Sequence, residues 1–400
     1  MLKNMFKKVT LTSLLFICVM QSCVSHSEIL VKKQRFEMDN FVTFGGKTIK
    51  HVAVGYESYG QLNASKDNVV LIPHYFSANS HAAGKYHADD TQAGYWDAII
   101  GPDKAIDTNR YFVISVDSLV NLNANDPNTI TTGPASIDPD TGKPYGMTFP
   151  VVTMRDFVNV QKAVLESLGI NKLHAVVGAS MGSMQAIEWA ATYPDWVPRM
   201  ISIVGTGQID AWGVSMLEQW AIPVRLDPNW QQGQYYDSAA PTAGLVASLM
   251  FITQAALTPE FFMQMGDSPA VSQQAGQAAA LQDINHSPAI VNWLKELAKK
   301  RVALMDANHL LYLVRANQLF VAGQQQDLAS GLDKVKAKTL FLPASNDMLL
   351  MPYLAQDAYR ILKEQGKDTE IQSLTGALGH LNGVQLISQQ ADKIKDFLAN

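Results

Sequence analysis

Cysteine is almost absent from this chain of 400 residues, because the two that occur, Cys18 and Cys23, both lie near the N-terminus. The rest of the chain therefore has neither a disulfide framework nor a thiol nucleophile. Long basic stretches are also lacking and the net charge is −5, which argues against nucleic acid as a main partner. No fixed-period repeat occurs, which argues against solenoids and propellers.

The N-terminus has the pattern of an export signal. Lys3, Lys7 and Lys8 precede an apolar run at residues 9–20, which is too short to span a bilayer comfortably. The run ends in Met-Gln-Ser-Cys23, which resembles the lipobox of bacterial lipoproteins, in which the cysteine is acylated. We therefore expect an exported protein, periplasmic or at the cell surface, held on a bacterial membrane by a lipid at Cys23. A plain cleaved signal and an uncleaved anchor are the alternatives.

Short apolar runs alternate with helical patterns along much of the chain. Nearly continuous apolar runs are typical of parallel strands buried on both faces. They lie at residues 69–73, 111–116, 173–177, 200–204 and 339–342, and a further strand is predicted at 370–374. Helices are predicted over 153–165, 183–193, 354–365 and 384–398. This alternation predicts an α/β fold with a mostly parallel central sheet and helices on both faces.

One segment interrupts this alternation and sets the domain boundaries. Residues 207–330 are rich in Gln, Ala and Met and have mostly helical patterns. This composition predicts a cap or lid inserted into the α/β core. The core then comprises residues 46–206 and 331–400. Residues 1–23 form the signal, and residues 24–45 read as a polar lead-in.

Ser180 lies in Gly178-Ala-Ser-Met-Gly182, between a predicted strand and a predicted helix. G-x-S-x-G in that context is the pattern of a nucleophile elbow, a tight turn that exposes the serine hydroxyl above the sheet. The alternatives are a glycine-rich turn without catalytic function and a phosphate-binding loop. No G-x-G-x-x-G pattern supports the latter.

A serine nucleophile needs a base and an acid that orients the base. After such an elbow the acid and then the histidine follow in chain order. His380 comes after a predicted strand and directly before the last predicted helix, and Asp347 follows the strand at 339–342. We predict these two as base and acid, with Asp357 and Asp368 as the alternative acids.

Two backbone N–H groups should stabilise the oxyanion of the intermediate. The N–H of Met181, next to the nucleophile, is one candidate, and the N–H of Phe76, in the loop after the strand at 69–73, is the other. The loop at residues 81–90 contains two histidines and two aspartates, but a polar surface loop is the favoured interpretation, and no metal site is predicted.

Several further stretches resemble the homoserine O-acetyltransferase family of α/β hydrolases, over nearly the whole chain after the signal. They include residues 54–63, 100–102, 107–113, 132–136, 142–146, 178–189, 227–230 and 306–308. The resemblance implies an α/β-hydrolase fold with a helical cap, a triad of Ser180, Asp347 and His380, and a homodimer formed through the cap. Members transfer acyl groups from acyl-CoA to a hydroxyl amino acid, and relatives hydrolyse simple esters.

The sequence departs from this family where the amino-acid substrate would bind. Leu381 follows the predicted triad histidine, where the family has an aspartate that meets the substrate amine. Gln219 stands where the cap supplies an arginine for the substrate carboxylate, and Arg225 is a candidate substitute. Without such partners, burying a zwitterion would cost several kcal/mol.

We therefore predict a serine-dependent hydrolase of small, acetyl-like esters, acting through an acyl-enzyme and without a cofactor. An O-acyltransferase of the family type, with acyl-CoA as co-substrate, is the alternative. A catalytically inactive binding relative is the second alternative.

Overall fold

A computed structural model describes residues 29–265 and 282–400. These residues form a main sheet of eight strands flanked by helices, and two small sheets that pair Ile100–Gly101 with Ile106–Asp107 and Ile137–Asp138 with Lys143–Pro144. The strands of the sheet are β1 (Gln34–Val42), β2 (Thr48–Tyr59), β3 (Val69–Leu71), β4 (Phe112–Val116), β5 (Ala175–Ala179), β6 (Arg199–Ile203), β7 (Lys338–Leu342) and β8 (Thr369–Ile371). Their spatial order is β1-β2-β4-β3-β5-β6-β7-β8. The first two strands pair antiparallel and the other six run parallel, which confirms the predicted α/β class.

Alternate residues of the central strands face two separate hydrophobic layers. Val69 and Leu71 of β3 belong to one layer, whereas Val70 and the following Ile72 belong to the other. Both faces are covered by helices, so each strand is apolar at successive positions, as expected for a parallel sheet.

The helices of the core and cap follow in chain order. They are α1 (Met154–Ser167), α2 (Met181–Thr192), α3 (Ala211–Leu226), α4 (Thr242–Ala256), α5 (Pro259–Met265), α6 (Ala289–Val302), α7 (Ala307–Gln318), α8 (Leu328–Asp333), α9 (Pro352–Glu364), α10 (Asn382–Gln385) and α11 (Ala391–Ala399). Helix α1 begins at the predicted capping box, since the Thr153 N–H donates to Asp156 Oδ2 at 2.7 Å.

The segment between β6 and β7 contains helices α3 to α8. It corresponds to the predicted cap at residues 207–330, of which residues 266–281 lie outside the described residues. Among the described residues, no single helix is long and apolar enough to cross a membrane. The pair α4 and α5 passes that test together, although the two helices meet at 108°.

Two segments differ from the sequence-based expectations. The predicted polar lead-in contains β1, in which Phe41 is the one buried residue. An edge strand buries little of its surface, so its sequence need not be apolar. The predicted final helix over 384–398 consists of α10, a 3₁₀ turn at Ile387–Gln390 and α11.

Candidate active site

Ser180 lies in the turn between β5 and α2, at the position that the motif predicts. Its φ of +56° falls in a region that residues with a Cβ rarely adopt. The turn is held from the neighbouring strand, since the Ser180 N–H donates to the Ile203 carbonyl at 2.9 Å. The fold therefore maintains a strained serine at the carboxyl end of the central strand.

The two flanking glycines are required by close backbone contacts. A Cβ on Gly178 would lie 2.1 Å from the carbonyl oxygen of Gly182. A Cβ on Gly182 would lie 2.1 Å from the carbonyl oxygen of Pro73, in the loop that follows β3. The second glycine thus lets that loop approach the turn that carries Ser180.

His380 lies within hydrogen-bond distance of both Ser180 and Asp347. His380 Nε2 is 2.7 Å from Ser180 Oγ, and His380 Nδ1 is 2.7 Å from Asp347 Oδ2. The other carboxylate oxygen of Asp347 accepts the N–H groups of Leu349 and Leu350 at 2.8 and 3.0 Å. All three side chains are buried. The arrangement can deprotonate a serine hydroxyl and stabilise the resulting imidazolium.

The alternative acids and the two other histidines that follow Ser180 in the chain, His286 and His309, lie elsewhere. Asp357 is exposed and pairs with Arg360 at 3.6 Å, and Asp368 is exposed as well. His286 is exposed. His309 is buried in α7 with its Nδ1 2.7 Å from the Asn121 carbonyl oxygen.

The two predicted oxyanion donors belong to residues near Ser180. Met181 is the first residue of α2, and Phe76 lines the same cavity as Ser180. Within residues 29–265 and 282–400, neither N–H donates a hydrogen bond. Both groups are therefore available to an oxyanion.

His74 and Gln185, which sequence analysis did not assign to the site, hold the loop that carries Phe76. The Ser118 N–H donates to His74 Nε2 at 3.0 Å, so His74 Nδ1 carries the proton and donates to the Tyr75 carbonyl at 2.9 Å. That carbonyl shares a peptide plane with the Phe76 N–H, so His74 orients the N–H. Gln185 Nε2 donates to the His74 carbonyl at 3.2 Å, which ties the loop to α2.

A cavity opens beside Ser180 and His380. The core contributes the loop after β3 and the segments around Leu349 and Leu381, and the cap contributes α3, α4 and α7. Trp220 packs edge-on against Phe76 at 5.5 Å between ring centroids and joins the two parts. Among the described residues that line the cavity, none is an aspartate, glutamate, lysine or arginine.

Of the three predicted substrate-binding residues, Leu381 lines this cavity and the other two do not. Helix α3 turns Gly213, Met216, Leu217 and Trp220 toward the cavity. At 100° per residue in a helix, Gln219 and Arg225 point about 110° and about 130° away from the centre of that face. Gln219 is exposed, and Arg225 pairs with Glu218. The structure therefore places neither Gln219 nor Arg225 in the described wall of the cavity, and their part in substrate binding stays a prediction.

The loop at residues 81–90 packs onto a buried carboxylate that the sequence analysis missed. Glu57 Oε2 is 2.9 Å from His81 Nδ1, and Glu57 Oε1 is 2.8 Å from Lys33 Nζ and 2.7 Å from the Tyr86 hydroxyl. Burial would raise the pKa of Glu57, but the His81 hydrogen bond and the Lys33 charge lower it to about 2. Among the described residues, no cluster of three or more histidine, cysteine, aspartate or glutamate side chains could hold a metal ion. The sequence signal that could have revealed this buried carboxylate is the position of Glu57 inside an apolar strand.

Comparisons with known proteins agree on the fold and differ in the reaction that they name. The chain matches the α/β hydrolase fold family over residues 68–360. It is 34% identical to a homoserine O-acetyltransferase from Deferribacter desulfuricans, over 90% of this chain and 93% of that protein. The crystal structure of esterase E22 is 62% identical with a TM-score of 0.89, over 92% of this chain and all of that one. The crystal structure of homoserine O-acetyltransferase from Bacillus anthracis has a TM-score of 0.88 and 36% sequence identity, over 93% of this chain and 98% of that one.

Proposed function

The chain belongs to the homoserine O-acetyltransferase-like family of α/β hydrolases, and on that basis we propose that it hydrolyses small, acetyl-like esters through an acyl-enzyme. The observation that carries this proposal is that the described residues lining the cavity beside Ser180 and His380 include no aspartate, glutamate, lysine or arginine. A zwitterionic acceptor such as homoserine would lose its hydration there without a charged partner, whereas a neutral ester would not.

The hydrogen-bond geometry supports the following sequence of steps. His380 Nε2 removes the Ser180 proton while Oγ attacks the ester carbonyl carbon, and the oxyanion forms near the N–H groups of Phe76 and Met181. His380 then returns the proton to the departing alcohol, which leaves Ser180 acylated. Water, deprotonated by His380, attacks the acyl-enzyme, and the acid leaves as Ser180 regains its proton.

The alternative is acyl transfer from acyl-CoA to a hydroxyl amino acid, which the transferases in the comparison support. Both reactions share the acyl-enzyme and differ in whether water or an alcohol attacks it. The intact chain of hydrogen bonds from Ser180 to Asp347 favours either enzyme over an inactive binding relative.

A partition experiment tests the proposal. The chain from Ser25 onward is given 4-nitrophenyl acetate with and without homoserine, and acetate and O-acetylhomoserine are quantified. We expect acetate as the product in both cases, because the described lining of the cavity offers no charged partner for homoserine. O-acetylhomoserine as the main product at millimolar homoserine would instead establish the transferase.

Leu381→Asp should shift this partition toward O-acetylhomoserine. The carboxylate would stand beside His380 in the cavity wall, where it can pair with the amine of homoserine. A hydrogen bond between charged groups contributes about 1.5–3 kcal/mol, so the product ratio should change by about tenfold or more. Leu381→Asn is the matched control of the same shape without charge, and an equal shift in that variant would contradict the electrostatic explanation.

We also propose that the protein is exported and lipid-anchored through Cys23, which lies outside the described residues. The basic residues, the apolar run and the Met-Gln-Ser-Cys23 sequence support this location. Dimerisation through the cap stays a prediction from the family resemblance.

Cys23→Ser should move the protein from the membrane fraction to the soluble fraction, because a lipid on Cys23 would be the attachment. Cys18→Ser, in the same apolar run, should leave the distribution unchanged. Immunoblots of fractionated cells measure both. Retention of the Cys23 variant in the membrane fraction would rule out the lipid anchor.

A further inference from the structure

Asn317 is a buried polar residue in the cap wall of the cavity. It lies in the last turn of α7, is 3% exposed, and lines the cavity together with Met216 and Trp220 of α3. Its α7 neighbours Leu313 and Val314 are buried and apolar. An amide is unfavourable at such a position unless its polar atoms have partners.

The orientation of the amide follows from its one hydrogen bond. Nδ2 donates to the Leu313 carbonyl at 2.8 Å, and a carbonyl cannot donate to Oδ1, so the reverse orientation is excluded. Within residues 29–265 and 282–400, no group donates to Oδ1. Oδ1 is not among the fully enclosed atoms without a partner, so it keeps an open side, and Asn317 is a lining residue of the cavity.

The surroundings of Oδ1 restrict the kind of group that can satisfy it. Among the described lining residues other than Asn317, the aliphatic hydroxyls are those of Ser77 and Ser180, and no other side chain is an amide. None of the described lining residues is an aspartate, glutamate, lysine or arginine. A cation would lose its hydration there without a counter-charge, whereas a hydroxyl or amide N–H costs less to bury and donates to Oδ1.

We propose that Asn317 Oδ1 forms a substrate-binding subsite that accepts a hydrogen bond from a neutral hydroxyl or amide N–H of the ester. The preferred substrates are thus uncharged esters that carry such a donor away from the scissile bond. This inference rests on the proposed esterase function and specifies its substrate class.

The test compares two pairs of esters that differ by one hydroxyl. The acyl pair is 4-nitrophenyl butyrate and 4-nitrophenyl 3-hydroxybutyrate, and the alcohol pair is ethyl acetate and 2-hydroxyethyl acetate. The ratio of kcat/KM within each pair, corrected for the spontaneous hydrolysis ratio, is measured for the wild type and for Asn317→Leu. We expect the hydroxylated ester to be preferred by about 3- to 10-fold in one pair, which identifies the side of the ester that carries the donor. Asn317→Leu should abolish that preference.

Stability separates a binding role from a structural one. Asn317→Leu removes an amide with an open acceptor from an apolar wall, so its Tm should equal or exceed that of the wild type while the preference is lost. Gln219→Ala, on the exposed face of α3 and outside the cavity lining, is the control and should keep the wild-type ratio. A lower Tm together with an unchanged ratio would assign Asn317 a structural role.

The outcomes distinguish this inference from the function on which it rests. If the wild type hydrolyses none of the four esters, the proposed esterase function fails and the subsite with it. If it hydrolyses them without a hydroxyl preference in either pair, or if Asn317→Leu keeps the preference, the subsite is refuted and the esterase stands.

Discussion

Ser180→Ala should lower kcat for ester hydrolysis by about 10⁴- to 10⁶-fold, the loss observed when a triad nucleophile is removed. In the proposed reaction Ser180 Oγ forms the bond to the acyl group, and alanine has no atom that can replace it. The fold should survive, because Ser180 is anchored through its backbone N–H to Ile203. Its side chain bonds to His380 alone among the described residues.

Single-turnover labelling with a serine-reactive phosphonate gives an independent measurement. The wild type should take up one equivalent and Ser180→Ala none. Ser183→Ala is the matched control, since Ser183 lies one turn into α2 and its hydroxyl is 2.7 Å from that of Ser202. If only the Ser183 variant lost labelling, the nucleophile would be Ser183 and the assignment to Ser180 would be wrong. The double variant with His380→Ala should be little worse than Ser180→Ala, because the residues act as a unit.

Lys33→Met should lower the free energy of unfolding by about 3–5 kcal/mol, the cost of removing one partner from a buried ion pair. Lys33 Nζ is 2.8 Å from Glu57 and 3.5 Å from Asp117, and both carboxylates are fully buried. Asp117 also accepts the Ser80 N–H at 2.6 Å, so the lysine stabilises the segment that follows the Phe76 loop. Without the cation, two buried carboxylates lose the positive charge that they share.

The effect should depend on pH in a defined direction. The pKa of Glu57 is about 2 in the folded protein against 4.5 for an ordinary glutamate, so its ionised form stabilises the fold above about pH 4.5. This contribution is lost as the pH falls from about 4.5 toward 2. The difference between wild type and Lys33→Met should therefore shrink over that range in urea titrations.

Lys50→Met provides the matched control for Lys33. Lys50 pairs with Asp140 at 2.7 Å, and both side chains are largely exposed. Exposed pairs contribute little, so the unfolding midpoint should hardly change. Equal midpoints for the two lysine variants would show that the Lys33 pair contributes no more than a surface pair.

Local sequence patterns predicted the turn that carries Ser180, because such a turn depends on neighbours in the chain. The G-x-S-x-G turn is defined by five consecutive residues, and its strained serine and crowded glycines are consequences of that local geometry. Chain order then located the candidate acid and base, because parallel strands bring their carboxyl ends to one edge of the sheet. The apolar runs likewise predicted the central strands to within a few residues.

The parts that escaped prediction depend on contacts between distant segments. Whether Gln219 or Arg225 faces the cavity is decided by the rotation of α3 against α4 and α7, which a one-dimensional pattern does not contain. The ion pair of Lys33 with Glu57 requires a segment before β1 to pack beside β2, and the polarity of that segment suggested exposure instead.

The sequence by itself thus determined the α/β class, the nucleophile turn and the order of the acid and the histidine, since these arise from local backbone preferences and strand topology. Only the tertiary structure decided which cap residues meet the substrate and which charges are buried. Those outcomes depend on side-chain packing between segments far apart in the chain, where a rotation of one helix by a third of a turn exchanges a charged wall for an apolar one.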